Sequence, residues 1–228
     1  MDCGKGGITV DRTPSKGAPS RTAFVSAGRL AGWVQRFAAS HGHPVEEPHD
    51  GGLLLRAADG ATALLQPPWP DDGRPGRGAD DVERLASLAS QERKIGIVLV
   101  RRGGYAVGVA SGGRLLASKS GSRYVQSRSA AGGSSQQRYA RRRANQADAL
   151  VSTVAAQAAA VFPGHSVEYV LPGGDAALAA AALEDPALRD FARRPRLPFM
   201  AVPDPNTTVL KQAAADACSI RILVTDPA

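Results

Sequence analysis

Residues 95–117 decide the fold, and they read IGIVLVRRGGYAVGVASGGRLLA. Three short runs rich in aliphatic and β-branched residues follow one another, and a Gly-Gly pair separates each run from the next. Because glycine adopts the positive φ angles that tight turns require, this pattern is typical of an antiparallel meander. We therefore predict three strands, over 95–100, 105–110 and 114–117.

A long helix and a series of alternating elements follow the meander. Small apolar residues recur at steps of three and four from Ala140 to Val161, through Ala144 and Ala147, which predicts a helix over about 135–161. The elements predicted after it are a strand at 167–171, a helix at 175–183, a strand at 198–202, a helix capped by Asn206 and a strand at 220–224. This order predicts the α/β class, with one mixed β-sheet layered with helices over residues 81–228.

A small α+β domain is predicted ahead of the meander. Apolar residues at one-face spacing predict a helix over 27–40, which Ser26 would cap and Gly42 would end. Two apolar runs on either side of Asp59-Gly60 predict a hairpin. The predicted organisation is a disordered tail at 1–20, an α+β domain at 21–66, a Pro- and Gly-rich linker at 67–80, and a domain at 81–228 with a loop at 118–135.

The charge of the chain is concentrated in one window. The whole chain has a net charge of +7, with 28 basic and 21 acidic residues. Residues 93–147 contain 12 basic residues and no Asp or Glu, so the rest of the chain is net acidic. Such a localised basic footprint is typical of a surface that meets a phosphate backbone, and a solvated basic face is the alternative.

Several classes of protein are excluded by composition. No stretch approaches the roughly 18 uninterrupted apolar residues of a membrane helix, and the first twenty residues lack the apolar block of a signal peptide. Cys3 and Cys218 give no basis for a disulfide framework, and His41, His43 and His49 lack a strong fourth metal ligand. We expect a soluble cytoplasmic monomer that uses no metal and no cofactor.

Residues 121–143, GSRYVQSRSAAGGSSQQRYARRR, carry the chemistry. Ser134 followed by Gln137 matches a capping box at the start of the long helix, which would leave Gln136 free beside unpaired helix amides. Arg138, Arg141 and Arg142 share one face of that helix, away from the apolar stripe. The segment contains no Cys, His, Asp or Glu that could serve as a nucleophile, general base or metal ligand.

The combination of Gly132-Gly133, two serines, two glutamines and an Arg-rich helix resembles the Gly-Gly-Gln loop of the central domain of eukaryotic and archaeal peptide-chain release factors. It is more similar to the actinobacterial release-factor-like peptidyl-tRNA hydrolases of the VLRF type. These are relatives of the ankyrin-repeat, zinc-finger peptidyl-tRNA hydrolase of eukaryotic ribosome quality control. The likeness is strongest over 94–161 and extends more loosely to residue 224.

The resemblance implies an RNase H-like release-factor central domain that hydrolyses the ester between a nascent peptide and tRNA on the large (50S) ribosomal subunit. Its partners would be 23S rRNA and peptidyl-tRNA, and its role would be the rescue of stalled ribosomes rather than ordinary termination. A non-catalytic ribosome- or rRNA-binding factor, active in occupancy or dormancy, is the alternative function. An RNA-processing nuclease is disfavoured, since the basic window has no His pair and no carboxylate cluster.

The resemblance also implies roles for individual residues. Gln136 would position the attacking water, and Gln137 is the second choice. In release factors the glutamine directly follows Gly-Gly, a position that Ser134 holds here. Gly132 and Gly133 would let the loop backbone approach the end of the tRNA. The basic residues expected to contact RNA phosphates are Lys119, Arg123, Arg128, Arg138, Arg141, Arg142 and Arg143.

Overall fold

The computed structural model describes residues 20–122 and 135–227, without the side chains of residues 135–137, 139, 140 and 143. The predicted tail and most of the predicted loop therefore lie outside the described residues. The described chain forms two β-sheets and six α-helices. This architecture is an α/β fold, as the sequence predicts, and it is consistent with a release-factor-like domain.

The first sheet is antiparallel and has five strands in the order β1-β9-β4-β3-β2. Its strands are β1 (Ser20–Val25), β2 (Val45–His49), β3 (Gly52–Arg56), β4 (Thr62–Gln66) and β9 (Ile220–Thr225). The β3–β4 pair is the hairpin predicted around Asp59-Gly60. Neither edge strand was predicted: β1 overlaps the end of the predicted tail, and β2 contains Pro48, which removes one backbone donor.

Two helices cover one face of the first sheet. A short 3₁₀ turn (Ala27–Arg29) leads into α1 (Leu30–His41), and α2 (Asp81–Ala89) follows the Pro- and Gly-rich segment. The helix predicted over 27–40 is confirmed, and Gly42 ends it with a φ of 86°. Ser26 makes no side-chain hydrogen bond to the helix, so the predicted side-chain cap is wrong. Its backbone carbonyl accepts instead from the Arg29 amide at 2.9 Å.

The second sheet contains the predicted meander. It has the order β7-β6-β5-β8 and consists of β5 (Ile95–Arg101), β6 (Gly104–Ser111), β7 (Arg114–Ser122) and β8 (Tyr169–Gly174). Strand β8 is parallel to β5, whereas β5, β6 and β7 pair antiparallel. Residues 118–122, which were expected to begin the loop, are part of β7 because they pair with residues 104–108 of β6.

Helices pack on both faces of the second sheet. One face carries α3 (Ser135–Val161), α4 (Ala176–Glu184) and α5 (Arg189–Ala192), and the other carries α6 (Thr207–Ala217). The long helix over 135–161 is confirmed, as is the cap of α6, where the Asn206 side chain accepts from the Val209 amide at 3.0 Å.

Two elements near the C-terminus differ from the sequence prediction. Strand β9 lies between β1 and β4 of the first sheet, not in the sheet of residues 81–228. The predicted strand at 198–202 makes only one isolated parallel bridge to β8, through Met200, and Arg196 makes another just before it. The register shifts by one residue between the Val170–Arg196 and Gly173–Met200 bridges, which interrupts the ladder. The C-terminus thus returns to the sheet in which the described chain begins.

The Pro- and Gly-rich segment 67–80 is a packed strap rather than a free linker. Trp69 is buried and stacks against Tyr169, with ring centroids 5.8 Å apart. Arg93 is fully buried over the Trp69 ring and donates to the Asp72 carboxylate, which also accepts from the Tyr169 hydroxyl. These contacts fasten the strap to the second sheet beside the start of β5.

Candidate nucleic-acid interface

The topology of the second sheet places the ends of three strands together. Arg101 pairs with Gly104, Gly104 with Ser122, and Val100 with Gly174, so β5, β7 and β8 all end at one edge of the sheet. The undescribed segment 123–134 leaves from Ser122 at this edge and rejoins the described chain at Ser135. We call this edge the loop end of the sheet.

Helix α3 runs antiparallel to β5 and extends beyond the loop end. The C-terminus of α3 lies at the opposite end of the sheet. There the Phe162 ring packs against Gly96, and a Cβ on Gly96 would lie 2.8 Å from the ring. Leu150 is the first buried residue among the described side chains of the helix. About twelve residues of helix from Arg138 onward, some 18 Å, therefore precede the point where the core begins.

The N-terminal half of α3 differs from the prediction in one respect. Ala144 belongs to the predicted apolar stripe, yet it is exposed, and Ala147 is only partly buried. The spacing of the stripe is helical, but the sheet ends near these residues, so the described elements leave Ala144 uncovered and cover Ala147 only in part. The core-facing part of the stripe consists of Val154, Ala158 and Val161.

Three arginines of α3 are exposed on the side of the helix that faces away from the core. At 100° per residue, Arg138, Arg141 and Arg142 lie opposite Val154 and Ala158, which are fully buried. Arg143 is in the same helix turn but its side chain is not described, and Arg123 and Arg128 lie outside the described residues. The described guanidinium groups are therefore accessible to an anionic partner.

Lys119 lies on the same face of the sheet as α3 because of a β-bulge. The register shifts between Val109 and Ala110, which leaves Leu116 without a partner in β6. Leu115 consequently packs on the α6 side and Ala117 on the α3 side. Lys119 follows Ala117 by two residues, so its exposed ammonium group lies on the α3 side as well.

The structure adds Arg102 to the predicted basic residues. Arg101 ends β5 and Arg102 lies in the turn to β6, at the loop end. The Arg101 guanidinium is engaged, since it donates to the Val202 carbonyl at 2.9 Å and lies 3.7 Å from the Asp204 carboxylate. Arg102 is exposed and makes no side-chain bond to another described residue. The signal in the sequence was its position in the acid-free window, directly before Gly-Gly.

A close contact fixes the backbone just before the undescribed segment. A Cβ on Gly121 would lie 2.8 Å from the Cε1 and Oη atoms of Tyr105. The Tyr105 ring therefore lies directly against the Gly121 backbone, two residues before residue 123. Tyr105 is half-buried and packs against the core under α3.

The structure describes the remaining predicted site residues only in part. Gln136 and Gln137 lie in the first turn of α3, but their side chains are not described. Gly132, Gly133 and Ser134 lie outside the described residues, and so does the predicted capping box. Residues 20–122 and 135–227 contain no group of three or more His, Cys, Asp or Glu side chains that could hold a metal ion.

A comparison with protein-family models matches residues 93–223 to the Actinobacteria/chloroflexi VLRF1 release factors. This is more than half of the chain. The protein belongs to the VLRF1 release-factor family. A search of curated proteins finds no match.

The VLRF1 match begins at the buried Arg93 and includes the second sheet, its helices and most of β9. It therefore covers the acid-free window, the loop end and the exposed arginines of α3. Membership supports a release-factor-like role in translation, and with it an interaction with the ribosome. No helix in the described part of the chain has the length and apolar character needed to cross a membrane.

Proposed function

We propose that this protein is a peptidyl-tRNA hydrolase that releases nascent peptides from stalled or obstructed large ribosomal subunits. The observation that carries the proposal is the position of the family match. The match spans the acid-free window at 93–147, together with the second sheet and helix α3 that hold this window. The substrate would be the ester between the peptide and the tRNA ribose. Its products would be a free peptide and an intact tRNA, formed in the cytoplasm where ribosomes work.

The proposed chemistry needs orientation rather than a protein nucleophile. A glutamine amide donates through nitrogen and accepts through oxygen, so it can hold one water in a fixed direction toward an ester carbonyl. Orientation of a reactant contributes a large share of many rate enhancements. We assign this role to Gln136, in the first turn of α3, with Gln137 as the second choice. Gly132 and Gly133 would allow the backbone to come close to the tRNA end.

The arginines of α3 would provide binding and direction. Arg138, Arg141 and Arg142 project from the part of the helix that no sheet covers, directly after the proposed catalytic turn. Guanidinium groups form paired hydrogen bonds with phosphate oxygens, and phosphate contacts set the position of a protein on RNA. Lys119 lies on the same side of the sheet, and Arg102 adds a free cation at the same end.

The proposal is tested with purified large subunits that carry peptidyl-tRNA. Wild type, Gln136→Ala and Gln137→Ala are incubated with these subunits, and release of peptide is followed on a gel. We expect a loss of at least about a hundredfold in release rate for Gln136→Ala, with subunit binding unchanged. Gln35→Ala is the matched control, because Gln35 is an exposed glutamine of α1, far along the chain from the proposed loop.

Each outcome has a separate meaning. If Gln137→Ala loses activity and Gln136→Ala retains it, the reaction stands and the assignment of the glutamine moves by one residue. If wild type binds the subunits but releases no peptide, the hydrolase proposal falls and the non-catalytic ribosome-binding function replaces it.

A further inference from the structure

A second group of exposed arginines lies outside the acid-free window. Arg189 begins α5, and Arg193, Arg194 and Arg196 follow it in a segment that makes an isolated bridge to β8. All four side chains are exposed. We call these four residues the distal arginines.

Most of the charge of the distal arginines is uncompensated. Arg189 lies 3.9 Å from the Asp190 carboxylate, and both side chains are more than four-fifths exposed. Arg193, Arg194 and Arg196 make no side-chain hydrogen bond or ion pair to any described residue. No Asp or Glu occurs between Asp190 and Asp204. Three cations within four residues thus have no acidic neighbour in the sequence that follows them.

The distal arginines have a fixed position on the fold. Phe191, in the middle of the segment, packs edge-on against Phe162, with ring centroids 5.2 Å apart. Phe162 directly follows the last residue of α3, Val161. On the other side, the Pro195 carbonyl accepts from the Val170 amide at 3.0 Å and the Leu197 amide donates to the Val170 carbonyl at 2.9 Å. The segment is therefore held at the C-terminal end of α3 and beside the start of β8.

This position places arginine groups at both ends of one rigid helix. The distance along α3 from Arg138 to Val161 is about 35 Å at 1.5 Å per residue. Arg138, Arg141 and Arg142 occupy one end, and the distal arginines lie at the other. One contact point leaves a protein free to pivot, whereas two points this far apart also set the direction of the axis between them.

We propose that the distal arginines form a second phosphate-binding surface, which holds α3 in one direction on an RNA partner. The free arginines, the acid-free stretch around them and the exposed Phe199 ring three residues beyond Arg196 match the surface that RNA backbone and unstacked bases recognise. The proposal rests on the proposed ribosomal function only for the source of the RNA. The surface itself is argued from the charges and their anchoring.

The test compares two triple variants that lose the same charge. One variant is Arg193→Gln, Arg194→Gln and Arg196→Gln. The control is Arg29→Gln, Arg36→Gln and Arg77→Gln, which removes three exposed arginines from the chain before residue 93. Binding to purified large subunits and to protein-free ribosomal RNA is measured at several salt concentrations, without any measurement of peptide release.

We expect the distal variant to bind both probes at least about tenfold more weakly than wild type at low salt, with a salt dependence reduced by about 2 in the slope of log K against log salt. The control variant should bind like wild type. Equal losses in the two variants would overturn the proposal, since net charge alone would then account for binding. Unchanged binding of the distal variant would overturn it as well.

One further outcome points to another kind of partner. If the distal variant binds protein-free RNA like wild type but binds subunits more weakly, the distal arginines contact an acidic protein and the RNA proposal is wrong. Because binding is read without catalysis, a failure of the hydrolase proposal leaves this result interpretable. A wild type that binds subunits but releases no peptide would still show whether the distal arginines contribute to binding.

Discussion

Gly121, next to the candidate site, leaves no room for a side chain. Its backbone lies against the Tyr105 ring, and any Cβ would come within 2.9 Å of the Cε1, Cζ and Oη atoms of Tyr105. Because Tyr105 is anchored in the core under α3, the contact sets the direction in which the chain leaves β7. The sequence shows only a glycine in a Gly- and Ser-rich stretch, so this role is visible only in three dimensions.

We expect Gly121→Ala to lower the free energy of unfolding by about 1–3 kcal/mol, because the added methyl group must displace the Tyr105 ring. Urea unfolding measures the change. Gly28→Ala is the control, since no atom lies within 4 Å of a Cβ at Gly28. In a Tyr105→Ala background the effect of Gly121→Ala should shrink. A Gly121→Ala protein as stable as the Gly28→Ala control would contradict the contact.

Asp72 is the acceptor that makes a buried arginine possible. Burial raises the pKa of Asp72, but hydrogen bonds from Arg74, Tyr169 and Arg93 outweigh burial and hold this pKa well below its usual value near 3.8. The ionised form is therefore favoured in the folded protein. A carboxyl group whose pKa is lowered on folding contributes its stability above its unfolded pKa, and the contribution is lost as the pH falls below that value.

Asp72→Ala should destabilise the protein by about 2–3 kcal/mol at neutral pH, because the fully buried Arg93 loses its carboxylate partner. Asp71→Ala is the control, since Asp71 is exposed and accepts only from the Gly73 amide, at 3.2 Å. Thermal unfolding between pH 7 and pH 3 measures the stability of wild type, Asp72→Ala and Asp71→Ala. Wild type should lose stability as the pH falls through about 4, and Asp72→Ala should lose less of it. Parallel pH profiles for wild type and Asp72→Ala would show that Asp72 is not responsible for the loss of stability at acid pH.

At the scale of elements, the sequence predicts what is local and misses what depends on a distant partner. The meander, α1, α3 and α6 follow from periodicity, glycine pairs and caps within a few residues of each element. The side of the sheet on which Lys119 lies depends on the bulge between β6 and β7. Strict alternation from Leu115 would have put Lys119 on the α6 side. The solvent exposure of Ala144 depends on where the sheet ends, which helical spacing cannot reveal.

Strand β9 shows the same limit most clearly. Its alternating residues predict a strand, but its neighbours are β1 and β4, about 155 residues or more away in the sequence. Residues Ile220, Ile222 and Val224 are buried in the core of the first sheet. A domain boundary drawn at the 67–80 linker assigns β9 to the wrong sheet. Such a boundary assumes that segments close in sequence fold together.

Removal of residues 219–228 should therefore open the first sheet, although the missing strand is C-terminal. Strand β1 loses its partner in the sheet and β4 loses one of two. Hydrogen exchange should show loss of amide protection in β1 to β4 and retained protection in β5 and β6. Full protection of β3 and β4 in the truncated protein would mean that residues 21–66 fold alone, as the sequence organisation predicts.

At the scale of the whole molecule, charge and fold are arranged along one axis. Cations are concentrated at the loop end of the second sheet and on the projecting half of α3, while the strap and α2 carry the acidic residues Asp71, Asp72, Asp80, Asp81 and Glu83. An anionic surface would attract the first region, which orients the protein as it approaches. This asymmetry follows from the sequence. The second group of arginines at the far end of α3 does not, because their placement depends on the packing of Phe191 on Phe162.

The central claim is that water, oriented by this protein, attacks the ester of peptidyl-tRNA. The most direct measurement is release of peptide from purified large subunits in water enriched in ¹⁸O, followed by mass spectrometry of both products. We predict one ¹⁸O atom in the C-terminal carboxylate of the released peptide, an unlabelled tRNA with an intact 3′ end, and a large loss of both signals with Gln136→Ala. A peptide that leaves with nucleotides attached, or no release by wild type, would contradict the account.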